Sequence, residues 1–306
     1  MKIFVTGATG YIGSALIQEL ISAGHQVIGL ARSEESAQKL IAIGIEAHLG
    51  TLTDLDSLRR GAAAADGVIH LAYNHDFSAY ATAGETDRQA VEALGSALIG
   101  SDRPFVITSG VTVLTPGRVA TETDPLDYNA ASAPRIPSEE VMQALATQGV
   151  RTSVVRLSPS VHGEGDYGFI PTLINIAREK GVSAYIGEGS NRWPAVHRLD
   201  AVQLFRLALE KGTAGAKFHG VADEGVPTRD IATMIGQHLN LPVVSKAAAE
   251  AADHFGWIGA FLSVDCPASS ILTQQQLGWH PTQLSLLADL DQGHYFDGLE
   301  KGQLRG

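Results

Sequence analysis

The sequence predicts an α/β protein built on a doubly wound parallel sheet, with a smaller C-terminal lobe interleaved with it. Two observations predict this. Short β-branched runs alternate with helical patterns through the first half of the chain. The first of those runs is followed at once by Thr6-Gly7-Ala8-Thr9-Gly10-Tyr11-Ile12-Gly13, a GxxGxxG turn that opens a helix.

The elements follow in order. Lys2–Thr6 reads as the first strand, and a helix over Ser14–Ala23 is closed by Gly24. Gln26–Ala31 is the second strand, with a helix over Ser36–Ile43 after it. Ile45–Leu49 is the third strand, followed by a short helix at Asp54–Arg60. Gly67–Tyr73 and Pro104–Gly110 are the fourth and fifth strands, separated by a helical pattern over Glu85–Ile99. Gly149–Leu157 supplies the sixth, and Ala216–Ala222 a seventh after the helix at Ala201–Lys211. Beyond Ser158 the alternation loosens, and Pro, Gly, Trp and His become frequent. The expected division is a dinucleotide-binding sheet domain at 1–158, with 200–222 returning to it. Segments 159–199 and 223–306 form the substrate lobe.

Bulk properties narrow the function classes. A net charge of −11 leaves nothing to neutralise many phosphates, so nucleic acid is not an expected partner. No apolar run reaches the roughly 18 residues of a membrane span. The first strand begins at Lys2 and leaves no room for a secretory leader. Cys266 is the sole cysteine, which excludes an intrachain disulfide and allows a reducing compartment. A cytoplasmic protein is the expectation. The eleven histidines show no HExxH-type spacing, so no metal site is expected.

The glycine turn carries the first functional reading. Gly7 permits the tight turn, Gly10 lets backbone approach a pyrophosphate, and Gly13 lets helix pack on strand. The phosphates then face a helix N-terminus, whose free N–H groups and dipole favour negative charge. This is the Rossmann-type arrangement. The end of the second strand selects the cofactor. NAD binders place an acid there for the ribose; this chain has Ala31-Arg32-Ser33. Arg32 offers a fork for a 2′-phosphate and Ser33 a second donor, which points to NADP, with NAD as the alternative. The competing reading is a solvated arginine at a strand end.

TGATGYIG on the first turn, GVIHLAY on the fourth strand and VITSG on the fifth together resemble the extended short-chain dehydrogenase/reductase family, the NAD-dependent epimerase/dehydratases. Ser160-Val161-His162-Gly163 is similar to that family's VYG segment, and His197-Arg198-Leu199-Asp200-Ala201 to its V-H-V-x-D-V-A segment. The resemblance implies a cofactor site from Gly7, Thr9, Gly10, Tyr11 and Ile12 on the loop, with Leu71 and Ala72 beside His70. It adds Leu52 of Gly50-Thr51-Leu52, where Thr51 replaces the family's Asp at the adenine contact. It also implies a candidate homodimer face on the helices around Glu85–Ile99 and Glu139–Ala146.

The catalytic signature departs from the family, because no Tyr-x-x-x-Lys occurs anywhere. Aligning on Pro137-Ser138-Glu139-Glu140-Val141 puts Arg135 at the lysine position and Ala131 at the tyrosine position. Pro134 and Pro137 delay the helix, placing Pro137 early in its first turn. Several groups are candidates to replace the missing pair. Tyr128 is one, against an ordinary loop tyrosine. Thr108 and Ser109 end the fifth strand, with Gly110 at the strict family position. Arg135 carries the lysine's charge to a ribose but donates no proton near neutral pH. His162 titrates in the right range, against a core role. Tyr73, with Asn74 and His75, follows the fourth strand into the crevice where ligands bind, making Tyr73 a second candidate acid.

On the substrate side, Gly187–His197 mixes Arg192, Trp193 and His197, while Asp166–Phe169 and His254–Trp257 add aromatic surface. Arg192 and Arg198 are candidates for a sugar-nucleotide diphosphate, although a smaller carbonyl compound fits the weak basic signal better. The expected function is an NADP-dependent oxidoreductase moving hydride to or from a small carbonyl or alcohol. Its rivals are a non-catalytic NAD(P)-binding regulator, and an epimerase or dehydratase that retains its cofactor.

Overall fold

The computed structural model describes residues 1–75, 79–130 and 132–296. Seven parallel strands form one sheet in the order β10 (Ala216–Gly220), β6 (Arg151–Leu157), β5 (Pro104–Gly110), β4 (Gly67–His70), β1 (Lys2–Thr6), β2 (Gln26–Ala31) and β3 (Glu46–Leu49). The order reverses between β1 and β4. In an open parallel sheet, that is where the carboxyl ends of the strands part to leave a ligand crevice.

Strand alternation dresses both faces. Ile3, Val5, Ile69, Val106 and Val155 face α1 (Tyr11–Ser22), α2 (Glu34–Ala42) and α7 (Arg198–Lys211). Phe4, Val68, Phe105, Ile107 and Val154 face α3 (Leu55–Ala63), α4 (Tyr80–Ser96) and α5 (Ile136–Ala146). The near-continuous apolar strands follow from burial on both sides. Helix starts are set locally. Ser33 caps α2 in a reciprocal pair with Ser36, and the Asp54 carboxylate accepts the Ser57 N–H at the head of α3. Pro137 sits in the first turn of α5, as its missing N–H allows.

Some boundaries shift from the sequence expectation. α1 begins at Tyr11, three residues ahead of Ser14, because the glycine turn is already wound into it. β4 ends at His70, so Leu71–His75 leave the sheet at the carboxyl end of the strand.

The remaining strands build a second core. β7 (Ser160–His162) pairs in parallel with β9 (Arg192–His197), which pairs antiparallel with β11 (Asp223–Pro227). β8 (Ser183–Ile186) pairs with β12 (Val243–Lys246). With α6 (Phe169–Lys180), α8 (Thr228–Leu239), α9 (Ala251–Phe255), α10 (Ile258–Leu262) and α12 (Leu286–Asp291), they bury Ile174, Trp193, Ile231, Phe255 and Leu290. One segment of 223–306 behaves otherwise. α11 (Ile271–Leu277) returns to β10, and Leu277 and Trp279 enter the core shared by α1 and α7. Trp279 is fully buried, its indole N–H donating to the Asp200 carbonyl at 3.0 Å. An isolated Trp-containing turn carries no periodicity that would announce this return. No described helix is long and apolar enough to cross a membrane.

Candidate functional site

The crevice begins at the glycine turn. Gly7 has φ +70°, and a Cβ there would lie 2.8 Å from the Ala72 amide nitrogen. The turn and the segment after β4 therefore pass each other backbone to backbone. A Cβ on Gly13 would overlap the Gly7 carbonyl oxygen, so α1 can approach β1 only through glycine. Gly10, the N-cap of α1, provides no side-chain cap, and the first turn holds no acid. The head of the helix thus has no acceptor of its own making, and its Tyr11 N–H meets only the Tyr167 hydroxyl, at 3.4 Å. These features fit a dinucleotide pyrophosphate. Thr9 is exposed beside them, while Tyr11 and Ile12 are partly buried at the head of the helix.

A buried relay fixes the crevice floor. The Thr6 hydroxyl accepts the Ala72 N–H at 3.2 Å and lies 2.7 Å from His70 Nδ1. His70 Nε2 lies 3.1 Å from Asp87 Oδ1 on α4, and the Ser138 hydroxyl of α5 donates to Asp87 Oδ2. Burial works against charge on Asp87, but the hydrogen bond from His70 and the positive field around it hold the carboxyl below its ordinary range. β1, β4, α4 and α5 are thereby tied together beneath Leu71 and Ala72.

At the adenine end Arg32 is exposed beyond β2 and enters no hydrogen bond or ion pair among the described residues. Ser33 is exposed but its hydroxyl is engaged with Ser36, so it serves the helix cap before any ligand. Leu52 packs partly buried against the core of α3 and α4.

At the other end Tyr73 and Arg135 meet. The Arg135 guanidinium carbon lies 3.6 Å above the centre of the Tyr73 ring, and its Nη1 donates to the Thr108 carbonyl at 3.4 Å. The Tyr73 hydroxyl is buried and has no hydrogen-bond partner among the described residues. Burial raises the phenol's pKa above its ordinary value, with the Arg135 charge pulling the other way. Thr108 donates to the His70 carbonyl at 3.2 Å. Aromatic contacts continue from Tyr73 through Tyr80 and Phe261 to Phe169 and Trp257.

Three catalytic candidates are placed differently from the sequence expectation. Tyr128 is 66% exposed and its hydroxyl donates outward to Glu140 at 2.7 Å, so the loop does not carry it into the crevice. Ser109 is buried in register with Arg156, on the sheet face where the Arg156 guanidinium pairs with Glu139 of α5. The period of two turns it away from the face that carries Thr108. His162 is wholly buried, with Nδ1 2.8 Å from Asp289 and its ring edge-on to His197. That geometry is a buried contact in the core, not an accessible acid. Ala131, aligned with the family's tyrosine, lies outside the described residues.

In the Gly187–His197 segment, two of the groups proposed for a ligand are engaged by the protein itself. Trp193 is 1% exposed, and Arg192 makes a bidentate pair with Asp265 at 2.9–3.0 Å. Cys266 is buried, and burial pushes its thiol up to about 12, away from nucleophilic use. No metal-binding group of His, Cys, Asp and Glu occurs among the described residues. Sequence reasoning missed Asp87 and Ser138. Asp87 lies 17 residues from His70 in an ordinary helical pattern, and only packing joins them.

Comparison with known proteins agrees with this architecture. A 53% identical protein of Schizosaccharomyces pombe, described as uncharacterized, aligns over 297 residues, covering 97% of this chain and 100% of the relative. A 4-hydroxy-2-methyl-3-oxo-4-farnesyl-3,4-dihydroquinoline-1-oxide ketoreductase of Stigmatella aurantiaca is 30% identical over 270 residues, 84% of this chain and 80% of that one. The solved dTDP-glucose 4,6-dehydratase of Streptomyces venezuelae, with NAD bound, superposes with a TM-score of 0.78 at 20% identity, covering 96% of both chains, which speaks to the fold alone. A sequence model of the family matches residues 3–221. The chain belongs to the NAD dependent epimerase/dehydratase family.

Proposed function

We propose that this protein is an NADP-dependent reductase of a small carbonyl compound, with Tyr73 as the proton donor. The observation that carries the reading is the buried Tyr73 hydroxyl, which has no hydrogen-bond partner among the described residues, on a ring that Arg135 covers just after β4. A nicotinamide bound there supplies the hydride. The chain supplies the rest. Gly7–Ile12 would hold the pyrophosphate, and Leu71 and Ala72 the adjoining cofactor edge. Arg32 would engage the 2′-phosphate, and Arg135 would orient Tyr73 and reach the ribose.

The phenol suits the role of proton donor. A buried tyrosine with a raised pKa stays protonated at neutral pH and donates to a developing alkoxide. The ketoreductase relative supports a carbonyl substrate. The sugar-nucleotide alternative loses one of its two arginines, since Arg192 is committed to Asp265.

The absence of Tyr-x-x-x-Lys favours a second reading, a binding protein without turnover. Steady-state assays with NADPH and NADH on a panel of aldehydes and ketones separate the two. Turnover that prefers NADPH and falls at least tenfold in Tyr73→Phe, with cofactor affinity retained, supports the reductase. Tight cofactor binding with no turnover across the panel supports the second reading.

A further inference from the structure

Two side chains from outside the glycine turn meet at Tyr11, the first residue of α1. Tyr167 lies between β7 and α6. Its hydroxyl is 3.4 Å from the Tyr11 N–H, and its ring is edge-on to the Tyr11 ring at 5.9 Å. The same oxygen is 3.9 Å from where a Cβ on Gly10 would sit, on the side left open for approaching phosphates. The Tyr167 side chain is 72% exposed, so burial does not explain its position. Arg198, the first residue of α7, places its guanidinium 4.7 Å over the Tyr11 ring. Its Nε is buried without a partner, and it joins no ion pair among the described residues. The Tyr11 hydroxyl anchors this assembly by donating to the Gly163 carbonyl at 3.2 Å.

A helix start with neither a side-chain cap nor an acid thus has beside it a phenol from the segment before α6 and, from the start of α7, a cation unpaired among the described residues. We propose that Tyr167 and Arg198 complete the cofactor's diphosphate site, the phenol donating to a phosphate oxygen and the guanidinium offsetting its charge. The inference rests on the dinucleotide reading of the glycine turn. It assigns the diphosphate to the cofactor and not to a sugar nucleotide, because both groups adjoin the head of α1. The phenol's contact with the Tyr11 N–H is a long one. A phosphate oxygen is the stronger partner for both groups, so the exchange favours binding.

The test is cofactor affinity in the full-length protein, measured by calorimetry, with NADPH release followed by stopped-flow fluorescence. Tyr167→Phe and Arg198→Gln are each expected to raise the dissociation constants of NADPH and NADH by about 5–20-fold. The factor is the same for both cofactors, because they share the diphosphate, and it comes chiefly from faster release. Tyr167 is exposed, so Tyr167→Phe keeps the wild-type melting temperature and its result stands even where Arg198→Gln folds poorly. Unchanged affinity in Tyr167→Phe overturns the inference, as does tighter binding, which would make the phenol a mere competitor. A loss confined to NADPH overturns it too. So does a wild-type protein whose UDP-glucose affinity, and not its cofactor affinity, responds to the two variants. Wild-type protein that binds neither dinucleotide overturns the reading of the glycine turn itself, and this inference with it.

Discussion

His70 on β4 and Asp87 on α4 are joined by a 3.1 Å contact between Nε2 and Oδ1, with both side chains buried. On its other side, His70 Nδ1 lies 2.7 Å from the Thr6 hydroxyl. The hydroxyl of Thr6 then holds the Ala72 N–H, so a pair in the core fixes backbone at the crevice.

Asp87→Asn is expected to destabilise the protein by about 1–3 kcal/mol at pH 7, measured by urea unfolding. The folded-state pKa of Asp87 is lowered, so its contribution is present above the unfolded carboxylate range and lost as pH falls through the folded value. The gap between wild type and variant should therefore close toward acid pH. A constant gap from pH 7 to pH 3 would count against the pairing.

Tyr73→Phe is expected to lower kcat for carbonyl reduction by about 10²–10⁴, with cofactor affinity unchanged. Since burial raises the phenol's pKa, the wild-type rate should show no alkaline limb from this group below about pH 10. A pH profile of kcat that fell through pH 8 to 9, and lost that limb in Tyr73→Phe, would contradict the assignment.

Arg32→Ser should weaken NADPH binding by about 10–100-fold, the cost of one charge-assisted contact, and leave NADH within about twofold. The comparison of the two dissociation constants checks it. Equal loss for both cofactors would place Arg32 away from the 2′-phosphate.

Glu139→Gln should cost about 3–5 kcal/mol, because it strands the Arg156 guanidinium in the core with its Nη1 already unpartnered. Glu139→Leu combined with Arg156→Met should recover most of that loss in thermal melts. Failure of the double variant to exceed the single would show that the pair does more than satisfy its own charges.

The legible part of this protein is local. β1 through β6, the glycine turn and the late start of α5, with Pro137 in its first turn, each follow from a run of a few residues. Strand burial, the steric freedom of glycine and the missing N–H of proline act within one turn of chain. Candidate hydroxyls were harder to place. Thr108 and Ser109 look alike in sequence, yet alternation on β5 sends one toward the His70 carbonyl and the other in beside Arg156.

By itself the sequence determined the sheet, the phosphate-binding turn, Arg32 at the end of β2, and the loss of the family's tyrosine–lysine pair. Tertiary structure alone decided that Arg135 lies on Tyr73, that Tyr128 turns outward, that His162 is locked to Asp289, and that Tyr167 and Arg198 flank Tyr11. The physical reason is separation along the chain. These partners stand 12 to 187 residues apart. Nothing in propensity or periodicity couples such positions until the two cores pack and bring them together.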